Sequence, residues 1–147
     1  MTQIPKIRQS AVIAYSLDAE YPKVMMITSR GRRRWVLPKG HVCEGQGARA
    51  AAESEAFEEA GLRGRLARRK IGTYFYQKAD EAKDMHYKVK VFPMQVERVA
   101  EDWPEKPERD REWMDFPTAV NAVEEPELKV LLREFGEMLS VVHAAKA

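Results

Sequence analysis

Residues 35–62 read WVLPKGHVCEGQGARAAAESEAFEEAGL, and this stretch decides the fold. Its first half is polar and contains several glycines, whereas the part from about Gly47 to Ala60 is rich in alanine and glutamate, which favour helix. Glycine commonly ends a helix because it adopts the left-handed conformation without strain, and Gly61 stands at that point. The stretch therefore predicts a loop that leads into a helix ending at Gly61.

Three glutamates of the predicted helix, Glu55, Glu58 and Glu59, should lie on one side of it. Residues three and four apart return to nearly the same face of an α-helix. Like charges at this spacing destabilise a helix by about 0.2–0.5 kcal/mol per pair, a cost that a bound cation would reverse. Magnesium is the natural partner, because it takes one or two carboxylates together with water and substrate phosphate. The alternative is a solvated helix face, since exposed glutamate is common.

The spacing of these glycines and glutamates resembles the Nudix hydrolase family. The family pattern is G-x5-E-x7-R-E-U-x-E-E-x-G-U, where U is apolar, and it is matched at Gly40, Glu55, Ala56, Glu58, Glu59, Gly61 and Leu62. Two positions depart from it: Gln46 replaces the first glutamate, and Ser54 replaces the arginine. In the family, that arginine helps to hold the neighbouring carboxylates, a role for which serine is too short and uncharged.

This resemblance covers most of the chain and implies both a fold and a site. The implied fold is an α+β domain of the α/β/α sandwich type with a mixed central sheet. The implied cofactor is Mg²⁺, with Mn²⁺ as an alternative, held by Glu55, Glu59 and the backbone carbonyl of Lys39. The resemblance also implies that Glu58 is the catalytic base that activates water, and it makes Gly40 and Gly61 further positions of the Nudix box.

Two segments outside the box resemble one subgroup of the family, the diphosphoinositol polyphosphate phosphohydrolases. They are SRGRRRWVLPKGH, which begins at Ser29, and EDWPEKPERDREW, which begins at Glu101 and ends in R-x-R-E-W. The subgroup implies a substrate crowded with phosphates, and family members of similar sequence also hydrolyse diadenosine polyphosphates. The predicted substrate-binding residues are Ser29, Arg30, Arg32, Arg33, Arg34 and Arg111.

Four of these residues form an arginine cluster directly before Trp35. A guanidinium group carries a fork of donors that matches phosphate oxygens, and the cluster precedes the predicted metal site. The pattern favours a phosphate clamp, with a solvated loop as the alternative. A second basic run, residues 63–70, is interpreted as a strand edge or a turn with a solvated face.

Length and composition favour one soluble domain over residues 1–147, with hydrophobic residues at 44%. The formal net charge is only +2, which does not indicate nucleic-acid binding. Cys43 is the single cysteine, so an internal disulfide is excluded. No signal peptide and no apolar run of about 18 residues is present, and a cytoplasmic protein with no membrane partner is therefore expected. The sequence makes no prediction of the oligomeric state.

The remaining hydrophobic patterns predict a sheet and a closing helix. Strands are predicted over about residues 8–16, 23–29, 71–76, 85–96 and 111–114, and helices over about residues 118–123 and 127–142. Residues 77–84 are expected to form a turn, and residues 97–110 a long surface loop. Pro93 cannot donate a hydrogen bond to a ladder, so we expect its strand to lie at an edge or to be bulged.

The predicted function is metal-assisted hydrolysis of a phosphoanhydride in a phosphate-rich small molecule, of the diphosphoinositol polyphosphate or diadenosine polyphosphate type. Two alternatives stay open. Because Ser54 and Gln46 depart from the pattern, the chain could be a regulatory module that binds a phosphorylated ligand without cleaving it. It could also be a pyrophosphohydrolase of RNA ends, although the interleaved aromatic and basic pattern typical of RNA-binding surfaces is missing.

Overall fold

The computed structural model describes residues 6–79 and 84–145. Within these ranges the chain forms one mixed sheet of eight strands and three α-helices. The strands are β1 (Lys6–Ser16), β2 (Lys23–Thr28), β3 (Trp35–Val36), β4 (Lys39–His41), β5 (Leu62–Leu66), β6 (Gly72–Ala79), β7 (Asp84–Val99) and β8 (Arg111–Asp115). The helices are α1 (Ala48–Ala60), α2 (Phe116–Ala122) and α3 (Pro126–Ala145), and a short 3-10 turn spans Lys106–Glu108. None of these helices is long and apolar enough to cross a bilayer.

Two long strands, β1 and β7, form the centre of the sheet. They pair in parallel, from Lys6 opposite His86 to Tyr15 opposite Gln95. The other pairings are antiparallel: β1 with β2 and β4, β7 with β5 and β6, and β2 with β3 and β8. The sheet is therefore mixed, as predicted.

The helices lie on opposite faces of the sheet because successive strand residues point to opposite sides. Val12 and Ala14 of β1 belong to a core that also contains the buried alanines of α1. Ala11 and Ile13 belong to a second core, which contains the buried leucines of α3 and residues of α2. One helix on one face and two on the other make the predicted α/β/α sandwich, and this prediction is confirmed.

Helix α1 follows its sequence signals closely. Gly61 adopts the left-handed conformation, with φ of 68°, and its N–H donates to the Phe57 carbonyl at 2.8 Å. The buried face of α1 consists of small residues, Ala51, Ala52, Ala56 and Ala60, so the helix axis lies close to the sheet. Glu59 is drawn into this interface and is only 7% exposed.

The expectation for the strand that contains Pro93 is wrong in one respect. β7 is central in the sheet, with β1 on one side and β5 and β6 on the other. On that second side the pairing with β6 ends at Val91, and the pairing with β5 begins at Met94. Pro93 lies between the two partners, so its missing N–H falls where the ladder is already interrupted. The predicted turn over residues 77–84 lies partly outside the described residues, and Gln77 and Lys78 continue β6.

Candidate active site

The acidic part of the site is formed by Glu55 and Glu59, which we call the acid pair. They are four residues apart and share the face of α1 that turns towards β4. Oε1 of Glu59 accepts a hydrogen bond from the backbone N–H of Lys39 at 3.0 Å. A Cβ on Gly40 would collide with the Glu55 carboxyl group, so glycine lets the loop lie against the acid pair. Glu58 projects from a neighbouring face and is exposed.

The acid pair holds protons more tightly than ordinary carboxyl groups do. Burial raises the pKa of Glu59 from 4.5 to about 8, against the opposing influence of the Arg109 guanidinium and the Lys39 N–H. Burial also raises the pKa of Glu55, a hydrogen bond with Glu59 opposes that rise, and the charge of Glu58 adds to it. Desolvation and like charge both disfavour two ionised carboxylates, and a divalent cation would reverse that preference.

This arrangement fits a hard divalent cation. Nowhere in residues 6–79 and 84–145 do three His, Cys, Asp or Glu side chains come together as a metal site. Two carboxylates and a nearby backbone segment leave several positions to water and substrate, which suits magnesium. The structure places Glu55, Glu59 and the backbone of Lys39 together. Their action as metal ligands stays a prediction, as does the role of Glu58 as the base.

A buried arginine, Arg109, contacts the acid pair from the loop that follows β7. Its Nη2 donates to Oε2 of Glu59 at 3.2 Å, its Nε to Oε1 of Glu105 at 2.8 Å, and its Nη1 to the carbonyl of Thr28 at 3.0 Å. The side chain is only 7% exposed. All three guanidinium nitrogens are therefore engaged, and both oxygens of Glu59 accept a hydrogen bond.

The same loop and the first residue of β8 close the C-terminal end of α1. Trp103 donates its indole N–H to the carbonyl of Glu59 at 3.0 Å, and Arg111 donates to the carbonyl of Ala60 at 2.7 Å. The Arg111 guanidinium lies over the Trp103 ring, 3.8 Å from its centroid, and also donates to Ala100. Cations and donors at this position satisfy the last carbonyls of the helix. The structure thus gives Arg111 a helix-capping role, and its predicted substrate contact stays a prediction.

The arginine loop, residues 29–34, leaves the end of β2 next to Arg109. The loop is closed by Ser29, whose N–H donates to the Arg34 carbonyl and whose hydroxyl accepts from the Arg34 N–H. Three exposed arginines form ion pairs: Arg30 with Glu108, Arg32 with Glu124, and Arg33 with Asp110. These side chains therefore meet carboxylates from two other loops, which the sequence analysis did not predict.

Arg34 differs from the other three because its pairing is bidentate and partly buried. Its Nη1 and Nη2 donate to the two carboxylate oxygens of Glu125 at 3.0 and 3.2 Å. Burial would raise the pKa of Glu125, but the hydrogen bonds and charge of Arg34 outweigh it and lower that pKa. Arg34 is therefore fixed in place by its partner, whereas its neighbours are held weakly.

An ammonium group and an aromatic cluster adjoin the acid pair. Nζ of Lys39 lies 5.4 Å from the centroid of the Tyr76 ring, and burial lowers the pKa of this lysine against the influence of Glu59. Tyr76 stacks on Tyr87 with 4.6 Å between ring centroids, and its hydroxyl donates to Oε1 of Gln9 at 2.8 Å. No pattern in the sequence indicates that these aromatic residues lie at the site.

The structure therefore brings together four of the predicted site residues and adds one residue to them. The adjacent residues are Lys39, Gly40, Glu55 and Glu59. Gln46 lies in the loop before α1, and its Oε1 accepts a weak hydrogen bond from the Cys43 N–H. Sequence reasoning missed Arg109. The signal that could have found it is Ser54, because a box without its arginine leaves the carboxylates in need of another cation.

Comparison with known proteins identifies the family of the chain. A model of the NUDIX domain matches residues 7–135. Nudix hydrolase 12, mitochondrial, of Arabidopsis thaliana is 32% identical over 117 residues, which cover 77% of this chain and 58% of that protein. Diphosphoinositol polyphosphate phosphohydrolase 3-beta of Bos taurus is 26% identical over 119 residues, which cover 80% of this chain and 69% of that protein. The chain thus spans little more than half the length of the plant relative.

Solved structures share the fold. A crystal structure of C. elegans Ap4A hydrolase superimposes with a TM-score of 0.68 at 19% identity, covering 92% of this chain and 99% of that one. The NUDIX domain of Shewanella oneidensis NrtR, solved with ADP ribose, gives a TM-score of 0.69 at 11% identity, covering 90% of this chain and 89% of that one. At these identities the likeness concerns the architecture of the sandwich.

Proposed function

The chain belongs to the Nudix hydrolase family, and from that premise we propose that it hydrolyses a phosphoanhydride bond in a substrate that carries several phosphates. One observation carries the proposal. The buried acid pair, which needs a cation, is joined through Arg109 and Thr28 to the start of the arginine loop, which can bind anions. A metal site and a phosphate site on adjacent segments are what hydrolysis of a polyphosphate requires.

Each group has a distinct task in the proposed reaction. Glu55, Glu59 and the Lys39 carbonyl would hold Mg²⁺ or Mn²⁺, which when bound neutralises the diphosphate and polarises the attacked phosphorus. Glu58 would accept the proton of the attacking water, whose oxygen forms the new bond to phosphorus. The phosphoanhydride P–O bond then breaks, and the bridging oxygen leaves with the departing phosphate. Glu58 suits this task because it is exposed beside the acid pair.

The substrate class follows from the arginine loop and the relatives. Exposed ion pairs are worth at most about 1 kcal/mol, so phosphate groups can displace Glu108, Glu124 and Asp110 from Arg30, Arg32 and Arg33 at little cost. Three arginines released in this way would hold nonreacting phosphates, with Ser29 and Arg34 keeping the loop in shape. A diphosphoinositol polyphosphate or a diadenosine polyphosphate has the required charge, and the bovine relative is named for the first.

A hydrolysis screen tests the proposal. Purified protein is incubated with Mg²⁺ or Mn²⁺ and with diphosphoinositol polyphosphates, dinucleoside polyphosphates, nucleoside triphosphates, sugar nucleotides and triphosphorylated RNA. We expect turnover of one of the first two classes, abolished by chelation. Glu58→Gln should lower kcat by about 10²- to 10⁴-fold, the usual contribution of a general base. Glu53→Gln removes the same charge from another face of α1 and is the matched control.

A second candidate function is recognition of a phosphorylated ligand without cleavage. Two observations favour it: Ser54 replaces the box arginine, and Glu59 already has Arg109 as an ion-pair partner. The same screen separates the two functions when binding is measured beside turnover. Tight binding of a polyphosphate with no product, in either metal, would establish the binding module and contradict hydrolysis.

A further inference from the structure

The acid pair lacks the arginine that its own helix should provide. The box position for that arginine is Ser54, which is exposed on α1 and ends in a short uncharged hydroxyl group. A buried carboxylate such as Glu59 nevertheless needs a charged and directional partner to keep one orientation. The partner must therefore come from another part of the chain.

Arg109 provides such a partner in geometry and in charge. It reaches Oε2 of Glu59, while the Lys39 N–H reaches Oε1, so the carboxylate is held at both oxygens. The arginine is itself fixed by Glu105 and by the Thr28 carbonyl. The Arg109 guanidinium group is held at three nitrogens and cannot rotate without losing at least two hydrogen bonds. It therefore fixes the orientation of Glu59.

A direct role in binding substrate phosphate fits Arg109 less well. Its side chain is almost fully buried, and each of its nitrogens already donates to a protein oxygen. Arg30 and Arg32 of the loop, by contrast, are exposed, and each pairs with a single carboxylate. Burial and complete pairing indicate a group that supports another residue.

We propose that Arg109 is a positioning residue that replaces the missing box arginine, holding Glu59 in the orientation needed to bind the metal. The guanidinium comes from the loop after β7 and takes over the task of position 54. This inference rests on the proposed function, because it assumes that Glu59 acts in metal binding. It also explains how the box can keep a working acid pair with serine at that position.

The central test compares Arg109→Lys with a rescue variant. Lysine keeps the positive charge, but its three donors share one nitrogen and lack the planar fork that reaches Glu59, Glu105 and Thr28 from three separate nitrogens. We expect kcat and Mn²⁺ affinity each to fall about 10- to 100-fold, the usual loss when a hydrogen-bonding partner of a metal ligand is removed, while KM stays within about threefold. Mn²⁺ affinity is measured without substrate, by electron paramagnetic resonance of the free ion.

Restoring the box arginine should repair the defect. In the Arg109→Lys background, Ser54→Arg should bring both quantities back to within about threefold of the unsubstituted protein, whereas Ser54→Arg alone should change little. Arg49→Lys is the matched control for lost stability, because Arg49 lies on the same helix and donates to the Leu66 and Ala67 carbonyls, away from the acid pair. Its kcat and Mn²⁺ affinity should be unchanged.

The outcomes separate this inference from the proposed function. If the unsubstituted protein turns over substrate and Arg109→Lys changes only KM, or Ser54→Arg fails to rescue, the inference is overturned and the hydrolase stands. If no substrate is turned over, the proposed function fails, and Mn²⁺ affinity alone decides the inference. Weaker Mn²⁺ affinity in Arg109→Lys, restored by Ser54→Arg, supports the inference. Equal affinity in all variants, or no Mn²⁺ binding at all, overturns it.

Discussion

The molecule has two regions in which arginines pair with carboxylates, one at Glu59 of α1 and one at the arginine loop. They share the same chemistry but differ in burial. Around Glu59, the Arg109 side chain is 7% exposed and uses all of its nitrogens. In the arginine loop, the Arg30 and Arg32 side chains are 60% and 75% exposed, and each meets one carboxylate at 3.3–3.5 Å. The first region is a fixed support, and the second is a set of loosely held cations.

The difference teaches how one residue type can serve two parts of an active site. Breaking a buried pair leaves a charge in a poorly solvated place, whereas breaking an exposed pair returns both charges to water. Phosphate can therefore replace the carboxylates of the arginine loop, but it cannot easily replace Glu59 at Arg109. Four predictions test this contrast, beginning with the largest expected effect.

Removing Arg109 should destabilise the protein far more than removing an arginine of the loop. Arg109→Ala removes three hydrogen bonds, to Glu59, to the part-buried Glu105 and to the Thr28 carbonyl, and we expect the free energy of unfolding to fall by about 3–5 kcal/mol. Arg32→Ala should change it by less than about 1 kcal/mol. Urea unfolding in chelator at neutral pH measures both. Equal losses in the two variants would contradict the contrast.

The Arg34–Glu125 pair should lie between the two regions. The carboxylate is 7% exposed and the arginine 23%, so Glu125→Gln should lower the free energy of unfolding by about 1.5–3 kcal/mol at neutral pH. Arg34 lowers the pKa of Glu125 despite its burial, so the folded state favours the ionised form. The stabilisation that ionised Glu125 gives is present above its ordinary pKa of 4.5. It is lost as the pH falls through the lowered pKa of Glu125 in the folded protein. The free energy of unfolding should therefore fall at acid pH, and Glu125→Gln should make that fall smaller.

The stability of the metal-free protein should fall as the pH rises towards 8. Burial raises the pKa of Glu59 from 4.5 to about 8, so the folded state holds a proton that the unfolded state has lost. The stabilisation that this proton gives is complete below the ordinary pKa of 4.5. It is lost as the pH rises through about 8, the pKa of Glu59 in the folded protein. Each pH unit inside this window costs about 1.36 kcal/mol, which gives about 2 kcal/mol between about pH 6 and pH 7.5.

Chelated samples of the unsubstituted protein and of Glu59→Gln, unfolded in urea across this range, check the size and the source of the slope. Glu59→Gln should remove it. Added Mg²⁺ or Mn²⁺ should restore stability at the alkaline end, because a cation that binds only the folded protein stabilises it. A slope of opposite sign, or one that survives in Glu59→Gln, would show that another group is responsible.

Neutralising the arginine loop should affect substrate more than stability. The triple variant Arg30→Gln, Arg32→Gln, Arg33→Gln should lose less than about 1 kcal/mol of unfolding free energy in total, because pairs this exposed contribute little. It should raise KM for a polyphosphate at least about tenfold and weaken the salt dependence of KM, since fewer charges contact phosphate. Steady-state kinetics at several salt concentrations decide the matter, and an unchanged KM would remove these arginines from the substrate site.

Local features of this fold could be predicted from the sequence, and long-range pairings could not. The residues that begin and end α1 are neighbours in the chain, so Gly61 and the alanine-rich run were sufficient to predict it. The contact of Arg34 with Glu125 joins residues 91 positions apart, and that of Arg109 with Glu59 joins residues 50 apart. Nothing in the spacing of charges indicates which of many acids each arginine will meet.

Burial and strand order show the same limit. Helical spacing grouped Glu58 with Glu55 and Glu59, but it could not indicate that packing of α1 against the sheet buries Glu59 and leaves Glu58 exposed. Pro93 suggested an edge strand or a bulge because a central strand normally pairs on both sides without a gap. It is accommodated in a central strand only because β6 ends and β5 begins beside it, and that exchange of partners is a property of the whole sheet.

The parallel pairing of β1 with β7 imposes an order on folding. Parallel neighbours cannot be joined by a tight turn, and here about eighty residues separate positions that face each other, such as Lys6 and His86. The pairing of β1 with β7 cannot form until β7 has been synthesised. Because so long a loop must close, this pairing forms slowly. Arg109 follows β7 in the chain, so during synthesis on the ribosome Glu59 emerges long before the guanidinium that will hold it.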